Sequence, residues 1–161
     1  MTDEQIRQET LRLLRSTNRE GIDAVIDYLC KSDFFRARCH SHHRVAGGLA
    51  RHSLEACQFA LSHRRGLSRD SVILGTLLHD VCTSHHRDAM GFHGHGRRSV
   101  GILSDVCGLR LTADETGAIK CHMHFRAPEV RSSHLGRLVW AADKVSAGGH
   151  VRLNVDKLSR I

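Results

Sequence analysis

The sequence predicts an all-α protein, a compact single-domain bundle of about seven helices. Three observations point there. Apolar residues recur at three- and four-residue spacing along most of the chain, whereas alternating runs rich in Val, Ile and Thr are few. Only one proline is present, so long stretches lack the strongest helix breaker. At 161 residues, 40% hydrophobic and 25% charged, the chain has the length and composition of one globular domain with its own core.

The elements follow in order. Residues 3–15 place Ile6, Leu11, Leu13 and Leu14 on one side of a helix, and 19–30 do the same with Ile22, Val25, Ile26 and Leu29. These two, within 1–34, are expected to pack on a core formed by 35–147. A polar, His-rich connection, RARCHSHHRVAGG, leads to helices over 48–63 and 69–81. TSHHRDAMGFHGHG is too rich in Gly and His to be a regular element and reads as a loop. Helices over 96–107, 112–124 and 132–147 complete the bundle. Thr112 with Glu115 forms a capping-box signature for the sixth, Pro128 separates sixth from seventh, and Gly148-Gly149 stops the last. Residues 148–161 are expected to form a tail.

Composition narrows the classes. MTDEQIRQETLRLL carries acidic residues and no apolar stretch, so a secretory leader is not expected, and no run approaches the roughly 18 apolar residues of a membrane span. The six cysteines form no CxxC pair, so reduced thiols and a cytoplasmic location are expected. A net charge of +7 suits an anionic partner, such as a phosphorylated small molecule or a nucleic-acid end. Histidine is the anomaly. There are 14, and neutral imidazole is the commonest protein metal ligand.

Helical phase sorts these histidines, because residues three, four and seven apart share a face. His52 falls with Leu49, Ala56 and Phe59. Nearly every position from Val72 to Leu78 is apolar, so a buried helix delivers His79 and Asp80 at its end. His95 begins a stripe containing Ser99, Ile102 and Val106. His122 lies with Ala118 and Ile119, whereas His124 points about 200° away. Asp143 falls on the stripe of Leu135, Val139, Ala142 and Ser146. Four His and two Asp from five helices thus face inward. A single core-facing His is commonly a hydrogen-bonded structural residue, but burying six titratable groups without a compensating charge is prohibitively costly. A divalent cation removes that cost.

The order His52, His79-Asp80, Asp143 resembles the HD-domain superfamily of metal-dependent phosphohydrolases, all-helical proteins. HHRVAGGLARHSLEA (42–56), LLHD (77–80), GHGRRSVGIL (94–103), IKCHM (119–123) and AADKVSA (141–147) are similar, in order, to that family's segments, so the resemblance covers roughly 35–147. It implies one metal held by His52, His79, Asp80 and Asp143. It also implies a second metal held by His95 and His122, with Asp80 as bridge and His79 and Asp80 at the catalytic centre. Mixed N/O ligation suits Mn, Fe, Co, Ni or Zn. One or two such ions would activate water and polarise a phosphoryl oxygen. The implied reaction is hydrolysis of a phosphomonoester or phosphodiester of a nucleotide or nucleic-acid end.

One departure concerns phosphate. Many members carry a Lys three residues after the Asp, and Thr83 stands there, offering a hydroxyl without charge. Arg97, Arg98 and Lys144 are candidate substitutes for substrate binding, and His43 is either substrate-facing or a support for a ligand. Two alternatives stay open at this stage. One is a metal-stapled nucleotide- or nucleic-acid-binding module without turnover, and the other is a di-iron oxygenase built on the same ligand types.

Overall fold

The computed structural model describes residues 1–39, 41–82 and 94–148, and every regular element among them is helical. They are α1 (Asp3–Arg15), α2 (Ile22–Lys31), α3 (Gly48–His63), α4 (Arg69–Leu77) and α5 (His95–Gly101), which runs on into a π-helical segment, Ile102–Val106. After these come α6 (Ala113–Cys121), α7 (Pro128–Arg131) and α8 (His134–Ser146). The count among the described residues is eight α-helices, one more than expected. The addition is α7. Pro128, expected only as a separator, opens it at N1, where a missing N–H costs nothing.

Local chemistry explains the boundaries. The expected capping box is present, with Thr112 accepting from the Glu115 amide and Glu115 accepting from the Thr112 amide. Thr2 and Gln5 cap α1 in the same way. The fourth helix was expected to reach 81 but ends at Leu77, because Leu78 leaves helical geometry at φ −109° and ψ 1°. The sixth was expected to reach 124 but ends at Cys121, with His122 as its C-cap. Val106, expected on the inward stripe, is 68% exposed. The wider π turn carries it out of phase, with Cys107 donating its N–H to Ile102 five residues back.

Apolar burial assembles these pieces. Leu14 of α1 and Val25 and Leu29 of α2 are fully buried with Leu49 and Leu54 of α3 and Leu74 and Leu77 of α4. At roughly 1.5–3 kcal/mol per buried large aliphatic, these contacts dominate the stability of this half. A second cluster joins α3, α4, α6 and α8 through Ala56, Val72, Ala118, Leu135 and Val139. α4 is therefore the central post, packed on α1, α3, α6 and α8. No helix among the described residues is long and apolar enough to cross a membrane.

Candidate metal centre

The site begins with two helices that stop early. At the end of α4, His79 Nδ1 lies 2.6 Å from the carbonyl oxygen of Thr76. At the end of α6, His122 Nδ1 lies 2.7 Å from the carbonyl of Ile119. Final-turn carbonyls have no intrahelical donor, so each ring donates there from Nδ1–H. That turns the Nε2 atom of each ring inward. His52 follows the same logic from α3, its Nδ1 3.0 Å from Ser146 Oγ on α8.

Around these rings the two carboxylates close in. His52 Nε2 is 3.2 Å from His79 Nε2 and 3.1 Å from Asp143 Oδ1, which is 3.6 Å from His79 Nε2. Asp80 turns Oδ2 toward His79 at 3.7 Å and Oδ1 toward His95 and His122 at 3.3 and 3.6 Å. His95 and His122 meet at 3.0 Å between Nε2 atoms. All six residues are buried, none more than 6% exposed.

Electrostatics follow from this burial. Burial pushes the His122 pKa down, aided by His79, to about 3, and it holds His52 below the ordinary value despite Asp143. Burial also opposes charge on His79, but Asp80 and Asp143 outweigh it and raise its pKa. Asp143 resists burial because hydrogen bonds from His52 and His79 hold its carboxyl well below the usual range. Burial thus favours neutral His52 and His122, while the ionised Asp143 carboxylate and Asp80 favour charge on His79.

That donor set fits a metal. Two sets of three donors, His52 with His79 and Asp143 and His79 with Asp80 and His122, have ligand atoms within 4.8 Å of one another. Facing Nε2 lone pairs are repulsive unless a proton or cation lies between them. The other faces of three rings are already anchored, two on carbonyls and one on a hydroxyl, as ligating histidines require.

The remaining sequence candidates are less central. Lys144 Nζ donates to Asp143 Oδ2 at 2.8 Å and lies 3.4 Å from Met123 Sδ, at the rim. Arg97 and Arg98 are exposed on the first turn of α5, and neither forms an ion pair with a described residue. His43 adopts φ +44° and places Nε2 2.9 Å from Glu55 Oε2. Thr83 lies outside the described residues, as do His40, the histidines of 85–93, and the tail from 149 onward.

His42 was missed. Its ring sits 4.4 Å from that of His52, its Nδ1 is 3.2 Å from His43 Nδ1, and burial lowers its pKa to about 4. The signal was the His42-His43 doublet just before the Gly-Gly turn. Gly48 makes that turn possible, because a Cβ there would lie 1.9 Å from the His43 carbonyl oxygen.

An all-helical fold that focuses four imidazoles and two carboxylates on one buried point defines a class, that of helical proteins able to hold divalent metal in their core. Residues 49–148, more than half of the chain, match the HD domain family, and the chain belongs to it. That membership places it in a superfamily of metal-dependent phosphohydrolases. Comparison with curated proteins and with solved structures gives no significant match.

Proposed function

We propose that this protein hydrolyses a phosphomonoester or phosphodiester, a nucleotide or nucleic-acid end, at a centre organised by His79 and Asp80. The observation that carries this reading is the Asp80 carboxylate, whose two oxygens face different histidines, Oδ2 toward His79 and Oδ1 toward His95 and His122. In the proposal His52, His79, Asp80 and Asp143 hold a first ion and Asp80, His95 and His122 a second. Bound there, Mn, Fe, Co, Ni or Zn would bring the pKa of water toward ~7 and polarise the phosphoryl oxygen.

The chain's own residues do the rest. Thr76 and Ile119 carbonyls and Ser146 keep the imidazoles turned inward, so little reorganisation accompanies the reaction. Lys144, already on Asp143, supplies a cation at the rim for the substrate phosphate. Arg97 and Arg98 extend that positive field, His43 faces substrate with Glu55 behind it, and Thr83 contributes a hydroxyl. Six free cysteines agree with a reducing, cytoplasmic location.

The test measures metal content of the purified full chain by elemental analysis. Phosphate release from a panel of nucleotides and phosphoesters is then followed with each divalent ion. Bound metal and metal-dependent release, both lost in His79→Ala and Asp80→Ala, are expected. Tight nucleotide binding without turnover under any ion would assign a binding module instead, and bound iron with O₂ consumption would assign an oxygenase.

A further inference from the structure

Aromatic residues are scarce in this chain, with one Trp, one Tyr and five Phe. Two of them nevertheless meet at the surface. The rings of Phe125 and Trp140 lie 4.5 Å apart between centroids, tilted by 46°. Phe125 is 47% exposed and Trp140 half-buried. The other exposed large hydrophobics among the described residues, Met1, Val45 and Val106, are all aliphatic. Leaving part of a Phe in water forgoes some of the roughly 1.5–3 kcal/mol that its full burial would contribute.

The position of the pair is informative. Trp140 and Lys144 are four residues apart on α8 and share a face, and Asp143 is three residues after Trp140. Lys144 reaches back to Asp143 at 2.8 Å and touches Met123 Sδ at 3.4 Å, and Met123 directly follows His122. Two contacts therefore join the segment after His122 to α8, Met123 to Lys144 and Phe125 to Trp140. Arg126, next to Phe125, is exposed and adds positive charge.

We propose that Phe125 and Trp140 form a stacking platform for the base of a nucleoside phosphate whose phosphate lies at Lys144 and the metal centre. The inference rests on the phosphohydrolase reading of that centre and specifies its substrate. Every base offers a π face to an aromatic ring, and an amphipathic Trp edge at the water boundary suits a ligand with an apolar base and a charged tail. A sugar phosphate without a base would leave the two rings unused.

Trp140 is the only tryptophan, so its fluorescence reports on this surface directly. The full chain with Mn²⁺ is titrated with adenosine, adenosine 5′-monophosphate and ribose 5-phosphate. Adenosine and its monophosphate are expected to quench Trp140, ribose 5-phosphate is not, and Phe125→Ala should raise the adenosine midpoint by about tenfold. Phe125→Tyr should restore it. Equal quenching by ribose 5-phosphate, or an unchanged adenosine midpoint in Phe125→Ala, overturns the inference. Phosphate release from ribose 5-phosphate reads the activity separately. If release persists without discrimination by fluorescence, the platform fails and the phosphohydrolase reading stands. If no phosphoester is cleaved, that reading fails while adenosine quenching still decides the platform.

Discussion

The Nε2 atoms of His95 and His122 lie 3.0 Å apart because a glycine lets their helices touch. A Cβ on Gly96 would lie 2.6 Å from the Lys120 carbonyl oxygen and 2.7 Å from that of Ile119. Gly96→Ala should therefore push α5 away from α6 and cost about 1–3 kcal/mol in denaturant unfolding. It should also separate the two histidines, so elemental analysis is expected to show selective loss of the second equivalent of metal. Retention of both equivalents would mean that α5 does not set this half of the centre.

Metal binding should stabilise the fold, since the unfolded chain has no preformed site. At an ion concentration 100 times Kd the gain is about 2.7 kcal/mol. Calorimetric scans with and without Mn²⁺ or a chelator are expected to show a Tm several degrees higher with the ion. Asp80→Ala should abolish the difference, because that carboxylate faces three of the four histidines.

The Ser146 hydroxyl bonds to His52 and Glu55 at the edge of the centre, 3.0 Å from His52 Nδ1 and 3.2 Å from Glu55 Oε2. Ser146→Ala removes a hydroxyl that orients a ring without removing any ligand atom. Metal affinity is expected to weaken by roughly 10–100-fold, measured by competition with a chromophoric chelator. An affinity equal to wild type would show that His52 is held by packing alone.

Far from the centre, Arg19 joins α6 to the turn before α2. Its guanidinium grips both oxygens of Glu115 at 2.6 and 2.7 Å, and Glu115 is fully buried. Removing one partner strands the other, and Arg19→Ala should cost about 3 kcal/mol. Burial alone would raise the Glu115 pKa, but Arg19 and the Thr112 amide outweigh it and hold it below the ordinary 4.5. A depressed folded-state pKa gives stability that is present above 4.5 and lost as pH falls through the folded value. Urea midpoints of wild type and Glu115→Gln should therefore converge on acidification below about 4.5 and stay apart above it. A gap independent of pH would contradict this assignment.

How far these features could be read beforehand varied with their range. Helix existence was local. The apolar stripes of α1, α3 and α8 and the Thr112 cap needed only neighbouring residues, and they stand as expected. Helix ends were less legible: α4 stops at Leu77, and the Thr76 carbonyl left free there meets the His79 ring. Nothing in the apolar run up to Leu78 announces that. Val106 failed for a related reason, since a π turn shifts phase without any mark in the composition.

By itself the sequence determined that the chain is helical, and that His52, His79, Asp80, His95, His122 and Asp143 turn toward the interior. Phase along one helix is enough for that, since a side chain's face follows from its spacing. Only the tertiary structure decided which inward residues meet, how Asp80 divides its oxygens, and that His42 lies over His52. It also decided that Phe125 lies against Trp140. Those relations depend on helix crossings, on how closely Gly96 lets α5 approach α6, and on loops whose course no periodicity encodes.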